Sequence, residues 1–142
     1  MTLTHDHKAE LLAAAPLFAG VDADGLASIR DRVVEVAFDS GHVIARQGDV
    51  GTGFFIVATG SVRVVRDGET IATIGPGGFF GELSVLDGMP RTAQVVAAEP
   101  TICLGLASWE FEAVVREQPA VALSVMRGLA MRLRELTEAA RH

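Results

Sequence analysis

Ser61-Val62-Arg63-Val64-Val65-Arg66-Asp67-Gly68-Glu69-Thr70-Ile71-Ala72-Thr73-Ile74 reads as two strands joined by a two-residue turn. Asp67-Gly68 tolerates the positive φ angles of a tight hairpin, and strand-forming runs at 61–66 and 69–74 flank it. Further short strands are predicted on both sides. Residues 33–38 are β-rich and are turned by Asp39-Ser40-Gly41. Strands at 42–46 and 54–58 follow, separated by a loop carrying Gly48, Gly51 and Gly53, and strands at 92–97 and 101–106 complete the set. Of the 15 glycines, 11 fall between positions 41 and 88, where they separate these runs. Many short strands at near-regular spacing predict an antiparallel sandwich or roll, not a parallel α/β sheet.

Helices bracket this β core. A short alanine- and leucine-rich helix is predicted over 8–15 and stopped by Pro16. Asp22 caps a second helix running to Arg32. Ser108 is the expected N-cap of a helix over 109–116, with Glu110 and Glu112 near the positive end of its dipole. Pro119 suits the start of a last helix that reaches about Ala140. Along it, Ala122, Met126, Leu129, Leu133, Leu136 and Ala140 recur at alternating spacings of four and three. Such a seam can pack on the β core or pair with a second copy of itself, and the dimer is the favoured expectation.

At 142 residues with 49% hydrophobic composition, the chain suits one soluble globular domain. The formal net charge of −6 argues against direct, unaided binding to nucleic acid, which needs a basic face. Cys103 is the single cysteine, so no disulfide framework, thiolate zinc site or cysteine-ligated cluster is available within one chain. Lying in the apolar run Thr101-Ile102-Cys103-Leu104, it reads as a small buried hydrophobe. The N-terminus carries His5, Asp6, His7 and Lys8, reads as a loose polar terminus and shows no signal-peptide core. No run is apolar enough for a membrane span, and a cytoplasmic protein without membrane contact is the expectation.

The chemistry lies in Gly77-Gly78-Phe79-Phe80-Gly81-Glu82-Leu83-Ser84-Val85-Leu86-Asp87-Gly88-Met89-Pro90-Arg91-Thr92-Ala93. The glycines let backbone approach a ligand where a β-carbon would intrude. One helical turn over 82–86 would offer unpartnered amides to an anion, with Leu83 and Ser84 as donors. Arg91 adds a full charge and a planar fork of donors that matches phosphate oxygens. Glu82 looks misplaced, since a carboxylate repels a phosphodiester by roughly 4 kcal/mol at contact distance in an effective dielectric of about 20. It fits if it accepts a hydrogen bond from the ligand, as acidic residues accept a ribose hydroxyl in dinucleotide sites. Glu82 and Arg91 together therefore suggest a ligand with both a sugar hydroxyl and a phosphate.

This segment closely resembles the phosphate-binding cassette of the cyclic nucleotide-binding domain family, which includes catabolite activator proteins, kinase regulatory subunits and gated channels. Phe80-Gly81-Glu82-Leu83 and Pro90-Arg91-Thr92-Ala93 match jointly, as do Pro16-Leu17-Phe18, Gly41, Gly48-Asp49 and Gly60-Ser61-Val62. The resemblance spans almost the whole chain. It implies an α+β fold, an antiparallel β-roll (a double-stranded jelly roll) over 33–107 between N-terminal helices in 1–32 and two C-terminal helices in 108–142, all one domain.

The resemblance also implies that Gly81, Glu82, Leu83, Ser84, Arg91, Thr92 and Ala93 bind cAMP, with cGMP possible because the Thr92 hydroxyl can reach a guanine amino group. Glu82 would take the ribose hydroxyl and Arg91 an exocyclic phosphate oxygen. The last helix would close over the base through Arg132, Leu136 and Thr137, then signal to a homodimer partner or a separate, unknown effector protein. In the transcription factors of the family a basic helix-turn-helix domain follows, and this sequence has no room for one. No prosthetic group is implied.

Two other readings compete with this one. A cupin-type metalloenzyme needs several inward His and carboxylate ligands, whereas His42 stands alone in its strand and reads as packed or exposed. With no nucleophile–base pair either, the chain is not expected to be an enzyme. The runner-up is a dimerisation module whose pocket is vestigial.

Overall fold

The structure, a computed structural model, describes residues 3–15, 18–48, 53–81 and 91–140. In chain order the elements are α1 (His5–Ala14), α2 (Ala23–Arg30), β1 (Val34–Phe38), β2 (Val43–Ala45), β3 (Gly53–Thr59), β4 (Val62–Arg66), β5 (Glu69–Ile74), β6 (Phe79–Phe80), β7 (Gln94–Ala97), β8 (Thr101–Ala107), α3 (Ser108–Glu117) and α4 (Pro119–Ala140). The strands form two four-stranded sheets, ordered β1-β8-β3-β6 and β2-β7-β4-β5, and every pairing is antiparallel. This is the α+β roll with flanking helices.

The first sheet is apolar on both faces, because it serves two cores. Successive side chains of a strand point to opposite faces. Phe54, Ile56 and Ala58 of β3, with Leu104 and Leu106 of β8, pack with Leu12, Phe18, Ile29, Phe111, Val114, Val121 and Val125 of the helical layer. The intervening residues Phe55, Val57 and Cys103 join Val62, Phe80 and Val95 in the interior of the roll. A strand sandwiched in this way has no polar face, which is why 54–58 reads as a continuous apolar run.

The predicted hairpin is present. Asp67 (φ 52°) and Gly68 (φ 84°) both have positive φ, as a two-residue turn of this hand requires. The expected strands all occur within two residues of their sequence bounds. One strand was not foreseen: Phe79–Phe80 pairs with Phe55 and Ile56, and Phe80 stacks on Phe55 with centroids 5.2 Å apart.

The helical expectations need three corrections. The N-terminus is not loose from residue 3: Leu3 is buried in the helical core, and helix α1 starts at His5, capped by Thr4 accepting from His7 N. Helix α2 is capped by Asp22 as expected, but it ends at Arg30. Ser108 is not an N-cap; it is the first residue of α3, and Ala107 precedes it without a side-chain cap.

In α4 the core-facing residues are Val121 and Val125, with Leu129 of the seam packed against the same core. Met126, Leu133 and Leu136 are exposed. Among the described residues, no helix is long and apolar enough to cross a membrane.

Candidate functional site

Gly81 closes β6 and has φ +89°, a left-handed conformation in which L side chains are strained. Its bare α-carbon faces Gly53 and Arg91. A β-carbon there would lie 2.5 Å from the Gly53 carbonyl oxygen and 3.0 Å from Arg91 Nη1. Arg91 reaches this place from the far side of the cassette, and its Nη2 donates to the same Gly53 oxygen at 3.1 Å. Gly81, Gly53 and Arg91 are thus packed together at the end of β3, with the half-buried guanidinium resting on a carbonyl.

The main chain around Arg91 is held as well. Gly48 N donates to the Arg91 carbonyl at 2.9 Å, and Arg66 Nε donates to the Thr92 carbonyl at 3.3 Å. Thr92 is exposed, and Ala93 is buried where the chain enters β7. A guanidinium presents its donors in one plane, and the bond to the Gly53 carbonyl fixes the orientation of that plane.

Of the expected site residues, the structure brings Gly81, Arg91, Thr92 and Ala93 to one end of the roll. Glu82, Leu83 and Ser84 lie outside the described residues, as does the helical turn expected over 82–86. Of the expected lid, Leu136 and Thr137 are exposed on α4, and the Thr137 hydroxyl donates to the Leu133 carbonyl of its own helix at 2.8 Å. The side chain of Arg132 lies outside what is described. His42 is exposed, its ring 5.4 Å from that of Phe38. Cys103 is fully buried, and burial pushes its thiol up to about 11. Among the described residues, no three His, Cys, Asp or Glu side chains gather into a metal-binding group.

Gly53, Gly48 and Arg66 were not foreseen in the site. Each acts through a main-chain group or on one, and a carbonyl or an amide carries no signature of residue type. The short spacing of Gly48, Gly51 and Gly53 is the signal that could have marked that loop as a place of close approach.

A glycine without room for a side chain, set against an arginine held by a backbone carbonyl, is found in a fold of known lineage. Residues 35–118 match the family model described as the cyclic nucleotide-binding domain. The chain belongs to the cyclic nucleotide-binding domain family. It is 36% identical over 129 residues to the cyclic AMP receptor protein of Thermus thermophilus, covering 87% of this chain and 60% of the receptor. The chain thus spans less than two thirds of that receptor.

Among solved structures, the N-terminal domain of a transcriptional regulator from Streptomyces coelicolor A3(2) superposes with a TM-score of 0.83 at 32% identity, covering 92% of this chain and 94% of that one. The regulatory domain of Toxoplasma gondii PKA, crystallised with cAMP, superposes with a TM-score of 0.74 at 27% identity, covering 80% of this chain and 45% of that one. As a cyclic nucleotide-binding domain resembling catabolite activator sensor domains, the chain has its β-roll and helical layer accounted for together.

Proposed function

We propose that this domain binds cAMP and passes the binding event to its last helix. The observation that carries the reading is the Arg91 guanidinium seated on the Gly53 carbonyl against the bare face of Gly81. Arg91 is the residue that the family resemblance assigns to an exocyclic phosphate oxygen. An arginine oriented before the ligand arrives loses less side-chain freedom on binding. Glu82 takes the ribose 2′-hydroxyl, the amides of Leu83 and Ser84 take the phosphate, and Thr92, next to Ala93, sits near the phosphate and the base. The relatives named above for cAMP support that nucleotide as the ligand.

The output runs through α4. Its first half is anchored by Val121 and Val125, while Met126, Leu133 and Leu136 form an exposed apolar stripe. A second copy of the chain covers that stripe, and ligand changes how the helix is held. Arg132, Leu136 and Thr137 supply the lid over the base. A near-complete switch needs the ligand to prefer one helix position by roughly 5 kcal/mol.

Calorimetric titration with cAMP and cGMP tests the binding. Arg91→Ala removes a charged hydrogen bond worth about 1.5–3 kcal/mol, so affinity falls by roughly 10- to 150-fold. Binding of cAMP no tighter than about 1 mM by the unsubstituted protein refutes the reading and leaves a vestigial pocket. Amide exchange over residues 121–137 with and without cAMP tests the output; identical protection counts against it.

A further inference from the structure

Strand β7 lies between β2 and β4, and residues 91–92 lead into it. Both neighbouring chains continue to hold it beyond the regular ladder. On the β2 side, Gly48 N donates to the Arg91 carbonyl at 2.9 Å. On the β4 side, the side chain of Arg66 does the same work, its Nε donating to the Thr92 carbonyl at 3.3 Å. The two consecutive carbonyls are thus each held by a different neighbouring chain, that of Arg91 from residue 48 and that of Thr92 from residue 66.

The two gripping chains are also joined to each other. Gln47 Nε2 donates to Asp67 Oδ1 at 3.0 Å, and Asp67 N donates to Gln47 Oε1 at 3.1 Å. Gln47 precedes Gly48, and Asp67 follows Arg66 at the hairpin turn. The pairing uses both ends of the glutamine amide: the Asp67 N–H requires an acceptor and the Asp67 carboxylate requires a donor. Glutamate at 47 would be the same size but would set an acceptor against a carboxylate.

We infer that Arg66 is a positioning residue for Arg91, and that the Gln47–Asp67 pair is a clip that holds Arg66 in place. The inference rests on the cyclic-nucleotide reading above and names residues that act on ligand affinity without touching the ligand. Arg66 holds the main chain while Gly53 holds the guanidinium, so position and orientation are set separately.

The test combines cAMP calorimetry on the whole chain with thermal unfolding and the NMR signal of the Arg91 Nε–H in ligand-free protein. Arg66→Ala is expected to weaken cAMP binding about tenfold, the equivalent of one net hydrogen bond. It also shifts the Arg91 signal while the melting temperature changes little. Arg66→Lys, which keeps a donor, recovers part of the affinity. Gln47→Glu weakens binding about threefold to fivefold, and adds nothing in the Arg66→Ala background because it acts through Arg66.

If Arg66→Ala binds within about twofold of the unsubstituted chain while Arg91→Ala is crippled, the positioning role is wrong and the binding reading stands. Additive effects of the Gln47 and Arg66 substitutions overturn the clip. Should the unsubstituted chain bind no cAMP, the binding reading falls; an unmoved Arg91 signal in Arg66→Ala then overturns the positioning role as well, and a shifted one upholds it.

Discussion

Replacing Gly81 by alanine puts the packing of the site to a quantitative test. Two costs add. An L residue in the left-handed region is strained by about 1–2 kcal/mol. The new β-carbon also meets the Gly53 oxygen at 2.5 Å, about 0.8 Å inside the roughly 3.3 Å at which a carbon and a carbonyl oxygen make a close favourable contact. That oxygen belongs to β3, where Gly53 is paired with Ala107, so the strand is not easily displaced. The cassette must back away instead, and a shift of that size stretches the 3.1 Å Arg91–Gly53 hydrogen bond beyond its useful range.

Losing a charged hydrogen bond of about 1.5–3 kcal/mol on top of the strain brings the expected destabilisation to roughly 2.5–5 kcal/mol. Gly41 is the control. Its φ is +84° and no atom lies within 4 Å of its would-be β-carbon, so Gly41→Ala carries the strain alone. Urea unfolding followed by circular dichroism measures both variants, and calorimetry measures cAMP affinity. Gly81→Ala should lose roughly 2 kcal/mol more than Gly41→Ala and bind at least about tenfold more weakly. Equal destabilisation of the two, with affinities within about twofold of each other, refutes the packing argument.

Leu133→Glu combined with Leu136→Glu changes residues that are 66% and 68% exposed in one chain, so a monomer's stability moves by no more than about 0.5 kcal/mol. Sedimentation velocity should show a dimer becoming a monomer; an unchanged sedimentation coefficient rules out this stripe as the contact. Cys103 has a thiol raised from 9.0 to about 11 by burial, so the neutral form is favoured in the folded state. Its contribution to stability is complete below pH 9 and is lost as pH rises toward 11. Native protein at pH 8 should resist iodoacetamide until urea unfolds it, and prompt alkylation contradicts the burial. Arg32 is raised from its ordinary value, first by its hydrogen bond to Glu110 and then by that to Glu117, and it ties the end of the α2 region to both ends of α3. Arg32→Ala should speed amide exchange across residues 108–117 severalfold, while unchanged rates dismiss the clasp.

The roll was legible because its signals are local. Asp67-Gly68 selects a hairpin through the backbone freedom of two residues, and Pro119 starts a helix through its own ring. Which face of α4 meets the roll was not legible, for the opposite reason. Val121 and Val125 satisfy the same spacing as Ala122 and Met126, and only the position of the β-roll and of Gly25, whose would-be β-carbon sits 3.2 Å from Val121 Cγ2, selects the valine row. Strand β6 escaped notice since two phenylalanines among glycines make no periodic pattern; pairing with Phe55 and Ile56 creates it. Leu3 is similar: a lone leucine in a polar terminus is buried only because the helical core comes to meet it.

The candidate site divides along the same line. Gly81 and Arg91 stood out in the sequence because residue type itself is the message: one has no side chain, and the other carries a fork of charged donors. Which groups hold them was settled by folding alone. The Gly53 carbonyl, the Gly48 amide and the side chain of Arg66 meet residues 91–92 across 38, 43 and 26 positions of chain. Backbone carbonyls and amides are the same in every residue, so no composition or spacing can nominate the one that will face an arginine. The sequence by itself determined the class of fold and nominated Gly81 and Arg91, and the tertiary structure decided which groups hold those two residues together.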